Sequence, residues 1–356
     1  MNQLRTTLLS AAAVPVLLAL TLPASEIVFA PAEGQSVTRK WTNQIHLSLD
    51  DMQMTMNGQP LPMEIEMEMD IDGTTEVEVT DRFVAMAEGR PSKLRRTFDA
   101  VGSTGSFAME MAMMPGGGQT RDINASSELE GKTVTFSWDP DEETYGADWF
   151  ESEGDDKLLE GLTEDMDLRV LLPRAGIEEG ETWEIDVKRL TGILAPGGNM
   201  ALVPDLDEDM GGMPGMEGMG SGMGDMIGES LEGTATAEYK GTREMDGVTV
   251  AVIRLTIDVE STNDMTEKVM EQMGQMPDEV GEVSVEYMDV EIDIEAEGTL
   301  YWNVEAKHAH SMDLSGSMKM VMDTAMTMSP GGQEMQMEQM MEMSGSFENS
   351  MTVTDN

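Results

Sequence analysis

The sequence predicts a mainly β protein. The expected fold is one large antiparallel, curved sheet, an open half-barrel or sandwich-like, with one or two short helices and a disordered Gly/Met-rich loop. Three observations predict it. Apolar and polar residues alternate with period two over long stretches, turn signals recur between them, and long runs of helical spacing are lacking.

Leu61–Ile71 shows the alternation best. Leu61, Met63, Ile65, Met67, Met69 and Ile71 fall on one face, and Glu64, Glu66, Glu68 and Asp70 on the other. The design recurs in Met109–Met113, Val283–Ile294, Met312–Met328 and Met335–Met343.

The elements follow in order. Arg5 precedes the apolar run Leu8–Leu22, and small residues follow it, which is the pattern of an export signal. Cleavage is expected after Ala24, or after Ala32, which closes an A-x-A triplet. Ser36–Met56 reads as strand, with a phase break at Asp50-Asp51 that signals a bulge or a strand end. Asn57-Gly58 is a hairpin turn signal into the Leu61 strand. Asp72-Gly73 and Gly89-Arg90-Pro91 read as further turns, and Thr133–Trp138 as another strand.

Asp155–Leu168 has the first helical spacing, with Leu158, Leu159, Leu162 and Met166 on one face. A turn then leads into a short strand carrying Trp183. Asp205–Gly228 is almost entirely Gly, Met and acid, and lacks the bulky residues of a core. Gly233–Gly241 and Val248–Val259 read as strands, and Asp264–Met276 as a short helix capped by Asn263 or Asp264. Strands are expected at Val283–Ala296, Thr299–His308, Ala309–Met322 and Glu334–Val353. The expected organisation is a signal peptide over 1–32, a β-rich half over 33–204, a loop over 205–228 and a second β-rich half over 229–356, with the halves able to form one continuous domain.

Composition narrows the function. Asp and Glu number 69 against 21 Lys and Arg, for a net charge of −48. Such a surface repels nucleic acid and anionic lipid headgroups, which require basic patches. The chain has no cysteine, so disulfides, thiolate metal sites and a lipidated cysteine are excluded. With the signal removed, no transmembrane segment is expected, and the place of action is periplasmic or secreted.

The segment Leu171-Leu172-Pro173, Gly176–Gly180 and Trp183, with the later Gly298-Thr299-Leu300-Tyr301-Trp302, resembles the "LP … GE-x-W" element of exported bacterial β-rich proteins of unknown function. The alternation is also similar in style to the curved sheets of periplasmic lipoprotein carriers. These resemblances imply an envelope protein and carry no catalytic residues.

No Gly-x-Ser-x-Gly, HExxH, P-loop or dinucleotide fingerprint is present, so no catalytic residue is assigned and the protein is read as non-enzymatic. Methionine, with 38 residues, supports two readings. In the first, Met63, Met67, Met69, Met109, Met111, Met318 and Met320 form an adaptable face for an apolar small molecule, a lipid or an envelope protein. In the second, thioethers of Met213, Met216, Met219 and Met223, with His308 and His310, hold copper. Methionine as plain core filler, in a structural or interaction protein of the envelope, is the third reading. No other cofactor is implied.

Overall fold

The computed structural model describes residues 27–60, 67–111, 118–151, 154–205, 230–273, 283–328 and 335–356. Tight turns chain long strands into hairpins. Asn57-Gly58, Glu88-Gly89 and Asp246-Gly247 have positive φ at both central positions, as two-residue hairpin turns of the I′ kind require. The strands are β1 (Ser36–Met56), β2 (Gln59–Pro60), β3 (Met67–Ala87), β4 (Arg90–Met111), β5 (Gly118–Ser127), β6 (Thr133–Asp139) and β7 (Thr144–Trp149). They continue with β8 (Thr182–Glu184), β9 (Leu202–Pro204), β10 (Glu232–Met245), β11 (Val248–Asp264), β12 (Val283–Asn303), β13 (His308–Met328) and β14 (Met335–Asp355). A strand of 21 residues, such as β1 or β13, spans roughly 70 Å.

All the described strands belong to one antiparallel sheet in the order β7-β6-β4-β3-β1-β14-β13-β12-β11-β10-β8. β6 pairs with the first half of β4, and β5 with the second half, carrying β9 on its other edge. β1 lies beside β14, so the sheet runs across both halves of the chain. The sheet is strongly curved. β3 and β12 are four strands apart, about 19 Å on a flat sheet. Yet Phe83 of β3 and Trp302 of β12 both touch the ring of Phe29, at centroid distances of 5.7 and 6.3 Å.

Glycines mark close approaches between neighbouring strands. Gly73, Gly105, Gly298, Gly316 and Gly345 all lie inside strands. A Cβ on Gly316 would come within 2.1 Å of the Glu295 carbonyl oxygen, and one on Gly345 within 1.8 Å of that of His46. Neighbouring backbones close on Gly105, Gly298, Gly316 and Gly345, which only a residue without a side chain allows, whereas Gly73 meets only the Ile45 side chain. This corrects two sequence expectations. Asp72-Gly73 is not a turn, because β3 runs straight through it, and Gly298 does not divide β12. Glycine marks turns and mid-strand close approaches alike. The break at Asp50 is a bulge, as expected: Leu49 pairs with Met343 and Asp51 with Glu342.

The expected helix over Asp155–Leu168 forms only a 3-10 turn at Asp156–Leu159. Gly161, with φ of 76°, interrupts it, and the acids beyond turn inward. Among the described residues there are two short α-helices, α1 (Thr191–Leu194) and α2 (Thr266–Met273). The Asp264 carboxylate accepts the Thr266 N–H at 2.9 Å and caps α2. Among the described residues, no helix is long and apolar enough to cross a membrane. The loop expected to be disordered lies almost wholly outside the described residues.

Candidate functional site

The inner face of the curved sheet lines a partly open cavity of about 190 Å³. Its walls come from strands far apart in the sheet order, including Ile292 and Met320 on the β12–β13 side and Phe107 and Ile123 on the β4–β5 side. Ile45, Leu47 and Ile71 lie between them. Period-two alternation puts these residues on one face, and curvature brings the two ends of that face together. Gly73 and Gly105 pair across the β3–β4 ladder and leave room where two side chains would otherwise stand.

The chain from α1 to β9 roofs the cavity through Leu194, Ala195, Pro196, Met200 and Leu202. Several bonds hold this strap. Asn349 Nδ2 donates to the Ile193 carbonyl at 2.7 Å, and Ser127 Oγ donates to that of Met200 at 2.6 Å. The Thr163 N–H donates to the Gly197 carbonyl at 2.9 Å, and β9 pairs with β5.

One end of the wall is polar. Cross-strand pairing sets Leu314, Asn349, Asn43, Thr75 and Ser103 in one lateral row. Trp41 stands in the next row, opposite Met351. Trp41 Nε1 and Asn349 Oδ1 are buried without a hydrogen-bond partner. Buried polar atoms in folded proteins almost always have partners, so two at one cavity are notable. Among the described residues, no lysine, arginine or histidine lines this cavity. The carboxylate of Asp72, a lining residue, is turned to the outer face, where it meets His46 Nδ1 at 2.8 Å.

The sequence-derived apolar face meets this cavity only in part. Met318 and Met320 are buried and line it. Met69 is buried and pairs with half-buried Met109 one step beyond Ile71 and Phe107, and half-buried Met67 lies further along β3. Met111 pairs with Met67. Met63 lies outside the described residues. Further methionines, Met322, Met341 and Met52, form the next lateral row on the same face.

The two candidate metal ligands that are described, His308 and His310, meet different carboxylates. Met213, Met216, Met219 and Met223 lie outside the described residues. His308 is buried, with Nδ1 at 2.7 Å from the Ala309 carbonyl and Nε2 at 2.9 Å from Asp355 Oδ1. His310 meets a different carboxylate, Asp246, at 3.2 Å. A bulge separates the pair, since Ala309 pairs with Trp302 and Ser311 with Tyr301. Among the described residues, no three His, Cys, Asp or Glu side chains converge as a metal site.

Sequence reading missed a buried ionic network beside the strap. Asp81 accepts from Arg39, and from Arg96 at 2.8 and 2.9 Å. Arg96 also donates to the carbonyls of Thr163 and Glu164, at 2.9 Å each. Arg169 pairs with Asp167 and, at 2.5 Å, with Glu164. Burial pushes the Glu164 carboxyl up to about 7; Arg169 opposes the rise, while Asp167 and Asp165 add to it. The network clamps the 163–169 segment onto β3 and β4, and Thr163 ties that segment to the strap.

The fold and site together define a mainly β protein with a roofed cavity on the inner face of one open, curved sheet. No described protein family and no curated protein matches the chain. Among solved structures, an outer membrane channel from Pseudomonas putida F1 aligns over 92% of this chain and 97% of its own, at 6% identity and a TM-score of 0.20. A likeness at that score carries no argument.

Proposed function

We propose that this is an exported, non-enzymatic binding protein that carries small apolar molecules in the cavity beneath the α1–β9 strap. The observation that carries the reading is the cavity itself, about 190 Å³, with Ile, Leu, Met and Phe side chains among those that line it. For comparison, an engineered apolar cavity of roughly 150 Å³ in another protein admits benzene. Met318 and Met320 suit such a role, because an unbranched thioether side chain repacks around differently shaped ligands. The leader-like N-terminus and the acidic exterior support an extracytoplasmic setting.

Native mass spectrometry on protein purified gently from its exported fraction tests the proposal. The expected result is a small-molecule adduct that denaturation removes. A bare polypeptide mass, unchanged when apolar molecules are added, would contradict it.

A further inference from the structure

Beyond the cavity, three adjacent strands carry methionines in register on the inner face. We propose that two of these rows are soft-metal sites, the thioether triads Met52–Met341–Met322 and Met56–Met337–Met326, each binding one monovalent cation of the Cu(I) or Ag(I) class. The inference is independent of the carrier reading and uses none of the metal ligands expected from the sequence.

Strand pairing builds both triads. β14 lies between β13 and β1. Met341 pairs with Met322 on one side and with Met52 on the other. Met337 pairs in the same way with Met326 and Met56. Residues directly opposite on neighbouring strands have Cβ atoms about 4.5–5.5 Å apart. Period two puts Met341 and Met337 on the face that Met343 and Phe347 bury. A methionine has three rotatable bonds, so each flanking sulfur can swing toward the central strand. Met52 already does: its Sδ accepts from Gln339 Nε2, on β14, at 3.7 Å. Beside the second triad the register is pinned by two hydrogen bonds. The Asn57 N–H donates to the Gln336 carbonyl at 2.8 Å, and the Gln336 N–H donates to Asn57 Oδ1 at 3.1 Å.

These rows are also accessible. Met343 is fully buried and Met341 is 8% exposed, but Met52, Met322, Met56, Met337 and Met326 are half-buried. A small ion therefore reaches them without unpacking the core. Thioethers are soft, uncharged donors and suit Cu(I) and its congener Ag(I), whereas zinc takes thiolate, imidazole and carboxylate ligands. Three neutral ligands leave the ion its positive charge, and the chain's net charge of −48 draws such an ion in.

Silver(I), added as the nitrate to the full chain and counted by native mass spectrometry, tests the assignment. Met341→Leu with Met337→Leu removes the central sulfur of each triad at nearly constant apolar volume. The wild type is expected to hold two more silver ions than this double variant, and each single variant to lose one. Counting the difference sets aside silver held by other methionines. Uptake is expected to be the same at about pH 5 as at about pH 7, because thioethers carry no proton whereas imidazole ligands are protonated across that range. If the double variant does not fold, Met52→Leu with Met56→Leu gives the same comparison at half-buried flanking positions. Equal silver uptake by wild type and the folded variant, loss of the two ions at the lower pH, or their displacement by equimolar zinc would overturn the proposal.

Discussion

Gly73 of β3 faces Gly105 of β4 across the ladder at the cavity wall, yet the two positions differ in what surrounds them. A Cβ on Gly73 would meet only the Ile45 side chain, at 3.2 Å. One on Gly105 would strike the Asp72 carbonyl oxygen at 2.5 Å. A side chain can rotate aside, whereas a paired strand cannot. Gly73→Ala should therefore cost less than about 1 kcal/mol, and Gly105→Ala about 1–3 kcal/mol. Urea unfolding of the two variants checks this, and equal costs would contradict it.

Asp81 holds two buried guanidinium groups, those of Arg39 and Arg96. Removing the carboxylate leaves both charges without their counter-ion. Asp81→Ala should lower stability by about 3–5 kcal/mol, the usual cost of breaking a buried pair from one side. Thermal and urea unfolding measure it. A loss below about 1 kcal/mol would show that these charges are solvated in solution.

Glu164 titrates abnormally because it is buried. Its carboxyl rises from an ordinary value of 4.5 to about 7. Between those values the folded protein keeps a proton that the unfolded chain releases, so stability falls as pH rises from about 4.5 to 7 and this contribution levels off above 7. Glu164→Gln removes the titrating group. The stability difference between wild type and variant should shift by on the order of 1–3 kcal/mol against the wild type between pH 5 and pH 8. Urea midpoints at the two pH values read it, and a pH-independent difference would contradict it.

Ile27 and Phe29 are buried, and Phe29 packs on Phe83, Trp302 and the Arg169 guanidinium. Trp302 Nε1 also donates to the Val28 carbonyl at 3.2 Å. Cleavage after Ala32 would remove this plug. The expected mature chain therefore begins at Ser25, after Ala24, and intact-mass analysis of exported protein checks it. Phe29→Ala should cost about 3–5 kcal/mol.

Much of the sheet was legible because period two survives in the residues themselves. Asn57-Gly58, the Asp50 bulge and the Asp264 cap could each be read locally. The mid-strand glycines could not, since Gly73 and Gly298 look like turns until their strand partners are known. The polar features were hidden in plain alternation. Arg39 sits between Val37 and Trp41, Asp81 between Val79 and Phe83, and Asn349 between Phe347 and Met351, all at apolar phase. A search for polar residues at inward positions would have found both the ionic network and the polar end of the cavity. Arg39 finds Asp81 42 residues away and Asn349 finds Ile193 156 residues away, and no local pattern encodes such pairing.

Ethylbenzene titration of wild type and Gly73→Leu tests the central claim most directly. The new side chain occupies the cavity wall, so the account predicts saturable one-site binding to the wild type and none to a variant that remains folded by circular dichroism. No binding to the wild type, or undiminished binding to the folded variant, would contradict it.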